Sequence, residues 1–392
     1  MARAAVHATA RTALIAIGLI VCGHVTAAAP PPPDAITQAA PTTPEAVTQS
    51  APTTPEAKAE FADAYKTYQQ LTADGKRDEA LPYAERAYQL GLQIFGENHK
   101  NTAALALNYG ETLDRTGHRK EAVPILDQAL DLYQKLYGAN ARDMVDPLMA
   151  RGNATGAWNV KEQTGYYDQA IAIARRDSSD LLSAHLNLEA GIHLLRDGNV
   201  DPSKRYLEDA YDEYHKQLAA NDGRLLIAAF WLGKYNLAIE KPRVAEPYFT
   251  QVLAATETPG AQPNPLTEGA HMLLVDIYQQ LGEPAKATPH CIAVGQLDPW
   301  NGKEPTPLYE KKPDYPEEGK GHDGYALIEF TIDASGFVRD PKLLKTEGSD
   351  AFGKPGLETI TSWRYAPRFV DGKPVDTTGV QAKVEFKLIP TS

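Results

Sequence analysis

The two histidines whose spacing comes closest to a catalytic or metal-binding pair are His185 and His193. They stand eight residues apart, just over two helical turns, so a helix places both on one face, yet no third ligand accompanies them. The other histidines are scattered, and we interpret them as ordinary helix residues. No phosphate loop, His-Glu-x-x-His, Cys-x-x-Cys or Gly-x-Ser-x-Gly motif occurs. We therefore expect no enzyme activity, no catalytic residue, no metal site and no cofactor.

The chemistry that the sequence does offer is backbone hydrogen bonding along its last predicted strand. One face of this strand is apolar and the other polar: Val380, Ala382, Val384, Phe386 and Leu388 against Gln381, Lys383, Glu385 and Lys387. A terminal strand with no following segment to cover its edge leaves backbone donors and acceptors free. The two lysines either discourage accidental pairing or flank an edge that captures a partner peptide by strand addition. We predict peptide pairing along this strand.

The elements around this strand form a small α+β domain, predicted over residues 303–392. Asp298–Gly302 breaks the helical pattern, and beyond it the apolar period changes from 3.6 to two, as in Ala326, Ile328, Phe330 and Ile332. A turn and a second strand follow. Pro355 then begins a short helix.

Residues 58–299 are predicted to form a solenoid of helical repeats. Six small-residue positions recur at a period near 42, five of them preceded at a distance of five by glycine and one by Glu240. They are Ala80, Ala122, Ala170, Ser203, Ala245 and Ala287. Such a period indicates stacked helix pairs, whose concave surface typically binds proteins. Four prolines follow these positions by two residues, and we place them in the first helical turn: Pro82, Pro124, Pro247 and Pro289.

The N-terminal 57 residues are predicted to form no domain. Residues 1–29 combine early arginines with a short apolar run, which favours a cleaved signal peptide over a retained inner-membrane anchor. Residues 30–57 contain an eleven-residue repeat rich in proline, typical of an extended spacer or of a disordered leader.

Charge and cysteine content bear on the possible partners and on how the domains are stabilised. With 39 basic and 51 acidic residues, the formal charge of −12 argues against nucleic acid as a partner. The only two cysteines are Cys22, in the apolar run, and Cys291, so we expect packing and not disulfides to stabilise the domains.

Four short runs near the C-terminus resemble the TonB C-terminal domain. They are Tyr315-Pro316, Gly324-Tyr325, the Trp-Arg-Tyr-x-Pro run of residues 363–367, and the closing strand of residues 380–388. The repeats resemble the 42-residue, kinesin-light-chain type of tetratricopeptide repeat, with Phe95-Gly96 matching Tyr137-Gly138 at the ends of two helices. The likeness suggests a mainly helical chain with a small α+β end.

The TonB resemblance implies that the closing strand takes up a short peptide from an outer-membrane receptor or another envelope protein. Trp363 is interpreted as structural. For Arg364 and Tyr365 the alternatives are partner contact or structure, with Arg364 tied to a carboxylate such as Glu358. The resemblance further implies a periplasmic location, and a link to inner-membrane motor proteins if the N-terminus is uncleaved. The alternative is a periplasmic scaffold or assembly protein without energy transduction.

Overall fold

The computed structural model describes residues 54–176, 180–257, 264–300, 305, 307–319, 321 and 323–387. The predicted signal, most of the predicted spacer and Leu388 lie outside these residues. The chain divides into two compact units with their boundary between Leu218 and Ala219.

The first unit contains eight α-helices within its described residues. They are α1 (Pro55–Ala73), α2 (Arg77–Phe95), α3 (Lys100–Arg115), α4 (Arg119–Tyr137), α5 (Val145–Thr155), α6 (Val160–Arg176), α7 (Asp180–Arg196) and α8 (Val200–Gln217). Two buried apolar clusters, one around Leu105 and Leu126 and one around Tyr167 and Leu194, form its core.

The second unit begins with four more helices and continues into a strand-rich domain. The described helices are α9 (Gly223–Ala238), α10 (Pro242–Thr256), α11 (Pro265–Gln280) and α12 (Pro284–Leu297), with a short α13 (Gly353–Ile360) further on. The strands are β1 (Pro307–Tyr309), β2 (Gly324–Ile332), β3 (Val338–Glu347), β4 (Arg364–Tyr365), β5 (Arg368–Val370), β6 (Lys373–Val375) and β7 (Thr377–Phe386). The predicted fold class, a helical-repeat array followed by a small α+β domain, is confirmed.

The recurring small residues and the glycines that precede them coincide with the helix pairs. All six small-residue positions are buried. At four copies the preceding glycine lies between two helices with φ between 70° and 84°: Gly75, Gly117, Gly198 and Gly282. Glu240 occupies the same place with a φ of 58°, a left-handed conformation that costs a non-glycine residue energy. Gly165 differs, because it lies inside α6.

The predicted placement of the four prolines in the first helical turn is wrong. Each is the sixth residue of its helix, in α2, α4, α10 and α12. The helices begin earlier than expected. Each starts only two residues after the residue with positive φ that follows the preceding helix. A proline at this position removes only the hydrogen bond to a first-turn carbonyl.

Four glycines in the first helix of successive pairs permit close packing, a feature that the repeat analysis missed. A Cβ atom on Gly110, Gly152, Gly191 or Gly233 would lie 2.5 to 2.7 Å from a large side chain of the following helix. At Gly191 the opposing residue is Leu207, whose backbone nitrogen also lies within 3.1 Å. The absent side chain therefore sets the distance between paired helices.

The main sheet of the C-terminal domain has the strand order β3–β2–β7, with both pairs antiparallel. Its inner face, with α13, encloses an apolar core that includes Ile328, Phe330, Phe352 and Phe386. Two smaller two-stranded sheets, β1–β4 and β5–β6, complete the domain.

Candidate functional site

The predicted peptide-pairing strand lies at an edge of the main sheet. Within the described part of the chain, β7 pairs with β2 alone, so its other side carries no neighbouring strand. The register is unbroken from Val380, opposite Phe330, to Phe386, opposite Gly324. In an antiparallel pair, alternate residues direct both backbone groups away from the partner strand. Half of the residues in this stretch therefore present an N–H donor and a C=O acceptor at the edge.

The opposite edge of the same sheet, β3, is irregular. Its pairing with β2 shifts register twice, once near Leu344 and once near Pro341. Asp340 at the second shift has a φ of 50°. Bulges and proline are devices that blunt an edge against further pairing. The two edges therefore differ, and β7 is the one whose geometry suits another strand.

Apolar side chains fix β7 to the domain. Val384 and Phe386 are buried, and the Phe386 ring stacks on Phe352 with centroids 4.4 Å apart. Burying a side chain of this size contributes about 1.5 to 3 kcal/mol. The inner face of the strand is thus committed to the core, whereas Gln381, Lys383 and Glu385 are exposed on the outer face.

The outer face carries a chain of polar contacts that crosses all three strands. Lys383 Nζ of β7 lies 4.5 Å from the ring centre of Tyr325 on β2. The Tyr325 hydroxyl donates to Glu347 Oε2 of β3 at 2.7 Å, and Lys345 Nζ approaches the same oxygen at 3.0 Å. The hydrogen bonds from Tyr325 and Lys345 lower the pKa of Glu347.

Lys387 follows directly after β7 and pairs with Glu385 at 2.8 Å. Residues 380–387 of the predicted site therefore form one continuous stretch with a buried and an exposed face. Leu388, the last predicted site residue, lies outside the described residues.

Arg364 is enclosed within the protein. It is 1% exposed, with its guanidinium 3.7 Å from the ring centre of Phe337. Its nitrogens donate to four oxygens: Ser335 O at 2.9 Å, Pro284 O at 3.1 Å, Thr288 Oγ1 at 3.2 Å and Gly336 O at 3.3 Å. Its acceptors are carbonyl and hydroxyl oxygens, and Glu358 instead lies 4.0 Å from Lys354. Burial lowers the pKa of Arg364.

These bonds join β4 to α12 and to the turn between β2 and β3. Cys291 of α12 is buried beside the guanidinium, and burial raises the pKa of its thiol to about 11. A thiol in this state is inert. We name the set formed by Arg364 with Pro284, Thr288, Ser335 and Gly336 the Arg364 clamp.

Tyr365 and Trp363 are also internal. Tyr365 is 1% exposed, lies in the core beside Phe330, and has its pKa raised by burial. Trp363 is buried and donates from Nε1 to the carbonyl of Lys311 at 3.0 Å. The side chains of Arg364 and Tyr365 thus contact other parts of this chain, and the candidate site consists of the β7 edge.

A histidine pair that the sequence spacing did not reveal connects α11 and α12. The Nδ1 atoms of His271 and His290 lie 2.8 Å apart, and His271 Nε2 lies 2.8 Å from Glu257 Oε1. Burial lowers the pKa of both histidines, that of His290 to about 4. Among the described residues, no group of three or more His, Cys, Asp or Glu side chains could hold a metal ion. None of the helices in the described residues combines the length and the apolar character that a membrane-spanning segment requires.

Two segments of the chain match known protein families. Residues 62–135 match the tetratricopeptide repeat family, and residues 311–388 match the family described as Gram-negative bacterial TonB protein C-terminal. Protein TonB of Vibrio cholerae serotype O1 is 32% identical over 79 residues, which are 20% of this chain and 32% of that protein. The chain thus spans about a third of the length of this relative.

Solved structures resemble the helical part of the chain weakly. A kinesin light chain of Podosopora anserina with nearly identical TPR-like repeats is 17% identical, with a TM-score of 0.43 over 51% of this chain and 94% of that one. PilW, a widely conserved type IV pilus biogenesis factor, is 15% identical, with a TM-score of 0.41 over 62% and 93%. Nothing about function follows from these likenesses.

The matched segments contain the features described above. The first two of the buried small-residue positions, Ala80 and Ala122, lie in the first segment. The β7 edge and the apolar core beneath it lie in the second. Both matched families are protein-interaction folds. Residues 62–135 thus match the tetratricopeptide repeat family, and residues 311–388 match the TonB C-terminal family.

Proposed function

We propose that this chain is a periplasmic protein-binding protein of a Gram-negative envelope, and that its β7 edge takes up an extended segment of an outer-membrane receptor or another envelope protein. The observation that carries the proposal is the unpaired, regular edge of β7 within the TonB C-terminal segment. The irregular β3 edge supports the choice of side.

Strand addition suits this edge on physical grounds. Between Val380 and Phe386, every second residue directs its backbone N–H and C=O toward the open edge. A partner strand therefore gains several backbone hydrogen bonds with few demands on its sequence. The core contacts of Val384 and Phe386 already hold β7 in place. The partner therefore pairs with a preformed edge, which reduces the entropy lost on binding.

The helical repeats supply a second protein-binding platform in this proposal. Stacked helix pairs present concave surfaces that typically bind protein segments. Energy transduction would further require that residues 1–29 remain as an inner-membrane anchor in contact with motor proteins, whereas a cleaved signal would release the chain into the periplasm.

A periplasmic scaffold or assembly protein without energy transduction is the second candidate. The large helical array favours it, because the match to protein TonB covers only 79 residues at the C-terminal end. Mass spectrometry of the mature N-terminus separates the two candidates. An intact first residue supports coupling to a motor, and a chain that begins near Ala28 supports the scaffold.

Site-specific photo-crosslinking in living cells tests the binding edge. A benzophenone amino acid replaces Glu385 on β7 or, as the matched control, Lys345 on β3; both positions are exposed and charged. We expect adducts with a defined segment of an envelope protein from position 385 and none from position 345. Equal adducts from both positions, or none from position 385 in a folded chain, would contradict the proposal.

A further inference from the structure

The exposed face of β7 carries an alternating charge pattern that strand addition alone does not require. Lys383, Glu385 and Lys387 follow one another at intervals of two residues, and all three are exposed. Glu385 is already paired with Lys387 at 2.8 Å. Among the described residues, no carboxylate lies within 4.0 Å of Lys383 Nζ, whose closest aromatic neighbour is the Tyr325 ring.

On the neighbouring strands, Glu347 of β3 interacts with Lys383 at longer range and does not contact it. The nearby carboxylate of Glu347 on β3 accepts from both the Tyr325 hydroxyl and Lys345. The polar chain across the sheet is therefore satisfied at its β3 end. At its β7 end it stops at the ammonium group of Lys383, which lies over the Tyr325 ring of β2. The Lys383 side chain is exposed and must turn toward the open edge to meet a partner.

A strand added to β7 would place one side chain directly across from Lys383 on the same face. Opposed residues in an antiparallel pair have Cβ atoms about 4.5 to 5.5 Å apart, within reach of an ion pair. The next outward side chain of the partner would lie opposite Glu385, and the one after it opposite Lys387. Because lysines flank Glu385 on both sides, the complementary order acid–x–base–x–acid reads the same in either strand direction.

We propose that the β7 edge selects extended partner segments with a carboxylate opposite Lys383, in the pattern acid–x–base–x–acid with apolar residues at the x positions. The x side chains would lie on the same side of the sheet as Val384 and Phe386. This inference rests on the proposed strand addition and adds the chemistry of the partner.

Two synthetic peptides test the inference on the full chain by fluorescence anisotropy. One has the sequence Thr-Glu-Val-Lys-Val-Glu-Thr, and the other has its charges inverted, Thr-Lys-Val-Glu-Val-Lys-Thr. Opposite-charge pairs at two or three cross-strand positions, against like-charge pairs, predict an affinity about tenfold higher for the first peptide. We expect Lys383→Glu to abolish or invert this preference.

Lys342→Glu is the matched control, because Lys342 is exposed on β3 opposite Glu329 and takes no part in the polar chain that ends at Lys383. It makes the same charge change on β3, three strand spacings and thus about 14 Å from an added strand, which exceeds the Debye length of about 8 Å at physiological salt. The preference should survive in this variant. Loss of the preference in both variants would mean that the net charge of the protein, and not the charge at position 383, determines which peptide binds. That result overturns the inference.

The other outcomes separate the inference from the proposed function. Equal binding of both peptides, unchanged by Lys383→Glu, overturns the charge selection while strand addition stands. Binding of neither peptide to a folded chain overturns both. A concentration-dependent dimer that Lys383→Glu disrupts in sedimentation would assign the edge to a second copy, which also overturns the inference.

Discussion

Replacing Arg364 by methionine should destabilise the second unit by about 2 to 4 kcal/mol. Methionine fills much of the same volume, so the main loss is the Arg364 clamp. Three carbonyl oxygens and the Thr288 hydroxyl lose a charged donor. Gly336 O keeps the Tyr365 N–H and Pro284 O keeps the Thr288 hydroxyl, so the acceptor that loses most is Ser335 O. A buried acceptor left without a partner costs about 1 to 3 kcal/mol, and the lost contact of the guanidinium with the Phe337 ring adds about 1 kcal/mol. Arg364→Lys keeps the charge but not the planar fork, and should lose an intermediate amount.

Urea unfolding followed by tryptophan fluorescence measures this loss. In a Trp158→Phe background the remaining tryptophans, at 231, 300 and 363, all belong to the second unit. Arg368→Met is the matched control, because Arg368 is exposed on β5 only four residues away. It should change the free energy of unfolding by less than about 0.5 kcal/mol. A difference between the two methionine variants below about 1 kcal/mol would refute a structural role for Arg364.

Two further predictions concern the helical repeats. Gly191→Ala, whose new Cβ would meet Leu207 at 2.7 Å, should lower the free energy of unfolding by about 1 to 2 kcal/mol, whereas Gly165→Ala, with open space around it, should raise it by about 0.5 to 1 kcal/mol. Equal effects in urea unfolding would show that Gly191 is not a packing requirement. Because the folded pKa of His290 is about 4, below the ordinary 6.5, its stabilising contribution is present above pH 6.5 and is lost as the pH falls toward 4. After allowance for partial exposure this loss is about 1 to 2 kcal/mol. Melting curves of the chain and of His290→Gln should diverge over that pH range, and parallel curves would contradict the assignment.

The regular features of the fold could be predicted because they are local. A glycine followed five residues later by a small residue indicates the end of one helix and the buried face of the next. Small residues recur in later copies at the position equivalent to Ala80, and this recurrence was enough to predict stacked helix pairs. The strict alternation from Val380 to Phe386 likewise predicts a strand with one buried face. In β2 the buried Ala326 and Ile328 alternate in the same way with the less buried Leu327 and Glu329, and the structure pairs these two strands.

The features that sequence could not predict depend on contacts between distant residues. Pro284 and Arg364 are eighty positions apart, and nothing in either neighbourhood indicates that one accepts from the other. The pairing of His271 with His290 depends on the angle between two helices. The irregularity of β3 follows from its register against β2, which the apolar pattern around Leu344 does not encode.

Residue-resolved hydrogen exchange along β7 tests strand addition most directly. In the free chain, the amides that face β2 should exchange slowly and the alternate amides at the open edge quickly. Saturation with the Thr-Glu-Val-Lys-Val-Glu-Thr peptide should slow every second amide between Val380 and Phe386 by more than about tenfold, and leave the β3 amides unchanged. A bound peptide that leaves the fast amides of β7 unprotected would contradict strand addition at this edge.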